Sequence, residues 1–191
     1  MVDKETLKNK LLEWDGLLSS FALPAWDALP ALPLYMDQVI YLLNQYLTLV
    51  PEQVADKQVT PAMINNYVKL KIIPPPVKKR YERKHLACLI ILCVCKQTLN
   101  TNDIKKLIPL SLSEDEVRGV YEDFVAAYSE MQQYFRQEIR KAVQPVFSDH
   151  NEPVNHLLFR TAIAANLTKL LTEETLRLDD ADKASSALHR R

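Results

Sequence analysis

"VTPAMINNYVKLKIIPPPVKKRYERKHLACLIILCVCKQTLNTNDIKKLI", residues Val59–Ile108, decides how the chain folds. Thr60 followed by Pro61 is a helix start, because threonine accepts from free backbone N–H groups and proline suits the first helical position. Ile64, Tyr67 and Val68 fall on the inner side of the helix this predicts over 60–70, and Asn65, Asn66 and Lys69 lie off it. Pro74-Pro75-Pro76 ends it. "VKKRYERKH" places cations between β-branched and aromatic residues, the pattern of a tight strand or wing. From about Arg83 to Thr98 the chain is so apolar, with Leu86, Leu89, Ile90, Leu92, Cys93 and Val94, that this helix belongs at the centre of a domain. Asn100 or Thr101 starts a short helix with Ile104, Leu107 and Ile108 inward.

Charge is partitioned along the chain. Lys plus Arg equal Asp plus Glu at 24 each. Yet Thr60–Lys106 holds ten bases against Glu82 and Asp103, a net +8, while residues 1–59 and 107–191 each carry −4. A cationic segment flanked by acidic ones points to a polyanionic partner. Only Gly16 and Gly119 occur. That scarcity excludes glycine-rich phosphate loops and dinucleotide-binding turns, and with long Leu, Ala, Lys and Glu runs it favours an all-α protein. No apolar run reaches about 18 residues, so no transmembrane span is expected. "MVDKETLKNKLLEW" lacks the apolar centre of a secretory signal. The odd count of Cys88, Cys93 and Cys95 fits a reducing compartment. The expected location is cytoplasmic.

Outward from the central stretch, Leu7, Leu11, Trp14 and Leu18 mark one face of a helix over 3–20. Pro24, Pro30 and Pro33 then punctuate an apolar strap, in which Trp26 is expected to pack on the core. "YMDQVIYLLNQYL" is a helix with Val39, Leu42, Leu43 and Tyr46 inward, and a polar connection over 51–59 follows. Ser113 with Glu116 forms a capping box for a long helix to about Ala142, ended by Pro145. Its apolar positions Val117, Tyr121, Phe124, Tyr128, Met131 and Phe135 advance in steps of four and three, the seam helices use to pair. That seam packs within the chain, between two chains, or both. A last helix is expected over 154–176. The polar residues 177–191 are expected to be disordered. The divisions are an N-terminal helix and strap over 1–34, a central domain over 35–109, a helical dimerisation or effector region over 110–176, and the tail.

No catalytic constellation is present. Serine, histidine and carboxylate positions form no arguable triad or acid–base pair, so no enzyme and no cofactor is expected. Cys93 and Cys95 point about 200° apart on a helix, Cys88 and Cys95 share a face without further ligands, and a zinc site needs four. His150 and His156 flank one turn, a weak metal pair. Metal: none.

The order of a helix over 36–47, a short helix over 60–70, a basic wing over 74–82, an apolar helix over 83–98 and a short helix over 101–108 resembles the winged helix-turn-helix of the MerR superfamily of transcription regulators. Ile64 and Tyr67 resemble the Leu and Tyr of that family's second helix. Leu70, Ile72, Ile73 and Pro74 resemble its exit, and Lys79-Arg80-Tyr81 its basic-basic-Tyr wing. Leu86, Leu89 and Ile91 resemble its third helix, and Ile104 its fourth. Asn65 stands where that family has Arg, and Lys71 where it has Gly. "TPAMINNYVKLKIIPPPVKKRY" is also similar to the YkrK-like family of bacterial proteins of unknown function.

The resemblance implies an all-α chain with a MerR-like DNA-binding domain, an N-terminal helical extension and a C-terminal long-helix bundle or coiled-coil region. It also implies duplex DNA as partner and a homodimer. Asn65 or Asn66 would read an adenine edge. Thr60 and the free N–H groups of its helix would meet phosphate. Lys69, Lys71, Lys78, Lys79, Arg80, Arg83 and Lys84 would line the backbone. Tyr81 would bond a phosphate or else pack the wing onto the next helix. A small-molecule effector among Trp14, Trp26 and the C-terminal helices extends this reading. The alternative is a non-enzymatic all-α adaptor whose basic wing docks an acidic protein.

Overall fold

The structure is a computed structural model that describes residues 3–48, 59–108, 113–147 and 154–188. Among the described residues the chain is all-helical: α1 (Lys4–Ser20), a 3-10 turn (Trp26–Ala28), α2 (Met36–Tyr46), α3 (Pro61–Lys69), α4 (Arg83–Cys95), α5 (Thr101–Leu107), α6 (Glu114–Phe147) and α7 (Val154–Leu188). The polar 51–59 connection lies outside the described residues except for Val59, as does His150. No helix of the described residues is long and apolar enough to cross a membrane.

Local chemistry sets the helix starts. Asp3 accepts from the Thr6 N–H, Thr60 from the Met63 N–H, and Asn100 from the Asn102 and Asp103 N–H groups. The capping box closes as its residues predict: Ser113 N–H donates to Glu116 Oε2 at 2.7 Å, and Glu116 N–H to Ser113 Oγ at 3.3 Å. These side chains satisfy donors that have no partner within their own helix.

α4 is the hub. His85 through Cys93 are all buried, and α2 and α6 pack against α4. α2 contributes Val39 and Leu43, and α3 contributes Ile64. The three thiols are free. Burial pushes Cys88 up to about 12 and Cys93 to about 11, so they behave as core side chains. Among the described residues no group of three or more His, Cys, Asp or Glu could hold a metal ion.

Packing and helix content cross two of the expected divisions. The strap is not separate from the central domain, because Leu23, Trp26 and Leu29 are buried in the same core as α4. The cause is apolar content between prolines, which buries Leu23, Trp26 and Leu29 around the short 3-10 turn. The 177–191 tail, expected to be disordered, continues α7 to Leu188, with residues 189–191 outside the described part. No Gly or Pro interrupts 177–188, and Lys106 Nζ on α5 donates to Asp180 at 2.6 Å.

The N-terminal segment runs antiparallel along α6. Asp15 meets Arg136 and Arg140. Gln132 donates to the carbonyls of Leu18 and Phe21. Phe21 packs on Tyr128, Tyr121 donates to the Pro24 carbonyl at 2.7 Å, and Arg118 pairs with Asp27. The seam Val117, Tyr121, Phe124 and Tyr128 is therefore covered by the chain's own residues 15–27 and the core. This places those four positions in an intrachain interface. Met131 and Phe135 remain 46% and 54% exposed.

Candidate nucleic-acid interface

The exit of α3 and the hairpin after it carry an unusual backbone. Lys71, Lys78 and Lys79 have φ of 54°, 49° and 63°, the left-handed region that favours glycine. At the exit, Ile72 N–H donates to the Tyr67 carbonyl at 2.9 Å and Lys71 N–H to the Val68 carbonyl at 3.0 Å. This is the paired bonding of a helix end closed by a left-handed residue, where glycine is usual. Lys71 thus takes the conformation that the resemblance reserves for Gly. At the hairpin, Val77 and Arg80 exchange both backbone hydrogen bonds, at 3.1 and 2.9 Å. Lys78 and Lys79 fill a two-residue loop with positive φ at both central positions, a loop that prefers Asn-Gly. Each non-glycine residue held this way costs on the order of 1–2 kcal/mol.

One turn of β pairing seats the hairpin. Tyr81 and Leu34 exchange backbone hydrogen bonds, both at 2.8 Å, which ties the hairpin to the segment before α2. His85 locks the other side: Glu82 N–H donates to its Nδ1 at 2.9 Å, and its Nε2 lies 3.3 Å from the Pro75 carbonyl. These contacts require a neutral ring protonated on Nε2. Burial lowers the His85 pKa from its ordinary value, consistent with that form.

Of the residues expected to meet DNA, Thr60, Asn65, Asn66, Lys69, Lys71, Lys78, Lys79 and Arg80 are exposed. Asn65, Asn66 and Lys69 share the outer side of α3, opposite buried Ile64. In the first turn Met63 N–H goes to Thr60 Oγ1 and Ile64 N–H to Thr60 O, and proline has none. The phosphate role expected of that turn therefore falls to the Ala62 N–H. Lys69, Lys71, Lys78 and Lys79 form no ion pair with any described residue, and no acid occurs between Thr60 and Tyr81.

Three expected contacts are placed differently. Tyr81 is buried, with its ring edge-on to His85 of α4 at 5.7 Å. Arg83 is turned inward, 3.6 Å from Asp27 and 5.7 Å above the Trp26 ring. Lys84 pairs with Glu82 at 3.1 Å. Trp26, proposed as an effector wall, is buried between Arg83 and Tyr121.

Tyr35 was missed by sequence reasoning. Arg80 donates to its hydroxyl at 2.9 Å and lies 4.8 Å over its ring, which orients the guanidinium at the hairpin base. Nothing local to Tyr35 signals this, because its partner is 45 residues away. Asp27, which accepts from Arg118 and forms an ion pair with Arg83, was missed for the same reason.

Residues 24–131, more than half of the chain, match the model of a family described as a domain of unknown function, DUF1836, and the chain belongs to that family. The match runs from the strap through the first half of α6. No curated protein and no solved structure matches the chain.

Proposed function

We propose that this DUF1836 member is a cytoplasmic transcription regulator that binds duplex DNA sequence-specifically. In this reading α2, α3, the Val77–Arg80 hairpin, α4 and α5 form a MerR-type winged helix-turn-helix, and the chain acts as a dimer. The observation that carries the reading is the exposed face of α3 and the hairpin. Its lysines have no acidic partner among the described residues, and three of them hold backbone conformations that glycine or asparagine would adopt with less strain. Strain kept at exposed cations points to a role outside the fold. Asn65 or Asn66 reads a base edge; Lys69, Lys71, Lys78, Lys79 and Arg80 anchor the phosphates. Arg83 and Lys84 support the hairpin instead.

The test is selection of bound sequences from a random duplex pool, followed by a salt series. Five phosphate anchors predict a slope of log K on log salt of about −4 to −5. Asn65→Ala or Asn66→Ala removes roughly 1–3 kcal/mol of preference for the selected site, and Lys79→Ala weakens all duplexes alike. A flat salt response with no site preference overturns the DNA reading in favour of an acidic protein partner.

A further inference from the structure

Among the described residues, α7 is anchored to α5 around Leu176. Leu176 is buried, Thr172 and Glu173 are half-buried, and Asp180 bonds Lys106 on α5. Residues 158–171 are all exposed. Nine positions separate Leu167 from Leu176, so they lie about 180° apart around the helix. The side opposite the docked one is therefore centred on Leu167. It carries Phe159, Ile163, Leu167, Leu170, Leu171 and Leu178, each more than half exposed. Together they leave on the order of 600 Å² of apolar surface, against the ~800 Å² each partner of a standard interface buries. A stripe of that size on one helix marks an interaction surface.

The stripe matches itself under a two-fold axis. If two α7 helices run antiparallel with Leu167 facing Leu167, the positions opposite one another sum to twice that number. Ile163 then faces Leu171, Ala164 faces Leu170, and Arg160 faces Glu174. Charge follows the same symmetry. From Val154 to Lys169 the helix has Arg160 and Lys169 and no acid, while from Glu173 to Asp180 it has four acids and Arg177. A parallel pair would set like charges side by side. The antiparallel pair sets each basic half against an acidic one, and a self-complementary patch closes as a dimer.

We propose that the occupant of this face is α7 of a second copy of the chain, antiparallel and centred on Leu167. This deepens the self-association in the proposed function and does not depend on duplex binding, so the two fail separately.

The experiment uses the full chain. Sedimentation at micromolar concentration should give a dimer. Under mild oxidation Leu167→Cys should form a disulfide-linked dimer, while Ile163→Cys and Leu171→Cys should link only when mixed with each other; the wild-type chain, whose Cys88 and Cys93 are buried, is the background control. Arg160→Glu and Glu174→Arg should each weaken association about tenfold, and the double variant should restore it. A monomeric wild-type chain, self-linking of Ile163→Cys, or no rescue by the double swap overturns the proposal. So does a dimer indifferent to these changes but lost on Phe135→Lys, which would place the interface on α1 and α6.

Discussion

At the far end of α6, Arg136 and Arg140 both close on Asp15, with hydrogen bonds of 2.9 to 3.1 Å to its two oxygens. At the hairpin, Lys78 and Lys79 are exposed, form no ion pair with any described residue and sit on left-handed backbone. The first set of cations is part of the fold. It clasps α1 to α6, and the arginines hold the Asp15 carboxyl below its usual range. The second set contributes nothing visible to stability and detracts from it. Cations thus hold the fold together in one region and sit on strained backbone in the other, and the proposal of a polyanionic partner rests on that contrast.

The contrast can be broken most forcefully at the clasp. Asp15→Ala should destabilise the chain by about 1–2 kcal/mol, because it strands charge-assisted hydrogen bonds around a side chain that is only 13% exposed. Duplex affinity should not change. Urea unfolding and duplex titration on the same variant check both halves, and a stable variant with lost binding would invert the assignment.

At the hairpin the signs should reverse. Lys78→Asn with Lys79→Gly places the preferred residues in the two-residue loop. Stability should rise by about 1 kcal/mol, or roughly 2–4 °C in Tm, while duplex affinity falls by about tenfold or more and the salt slope shrinks by nearly two. A variant that loses stability would show that the lysines are held by contacts within the chain.

The smallest effect is in pH, and it separates two joints. His85 is lowered by burial, so unfolding takes up a proton below its ordinary value of about 6.5. Its stability is present above that pH and declines as pH falls toward the folded value. Asp15 is lowered by its arginines, so its contribution holds above the ordinary carboxylate value and disappears only as pH falls through the depressed one. Urea unfolding from pH 8 to about 2 should therefore show an upper loss that His85→Asn alters and a lower loss that Asp15→Asn alters. A single loss below pH 4 would remove His85 from the account.

Elements of the candidate site were legible to different depths. Asn65, Asn66 and Lys69 were placed outward by helical spacing from Ile64, and the structure has them there. Arg83 and Lys84 continue the same basic run, yet Asp27 and Glu82 take them. Asp27 reaches Arg83 through the fold of the strap, which no spacing rule reports. The long seam of α6 was legible as a seam, but its occupant was not. Tyr121 is covered by Pro24 and Trp26, nearly a hundred residues earlier.

By itself the sequence determined where several helices begin: Thr60-Pro61 opened α3, the three prolines kept 74–76 out of any helix, and Ser113 with Glu116 opened α6, whereas α6 runs to Phe147 through Pro145, which was expected to end it. These signals act on backbone groups within about one turn, so they need nothing distant. It also determined the charge partition and the centrality of α4, whose apolar character needs no partner to be recognised. Only the tertiary structure decided that Tyr81 lies inside, that Lys71, Lys78 and Lys79 are left-handed, and that α1 and the strap occupy the α6 seam while the α7 stripe stands open. Each of those depends on which surface another segment covers. Covering releases apolar area from water wherever the chain happens to meet itself, and pattern along the sequence carries no address for that meeting.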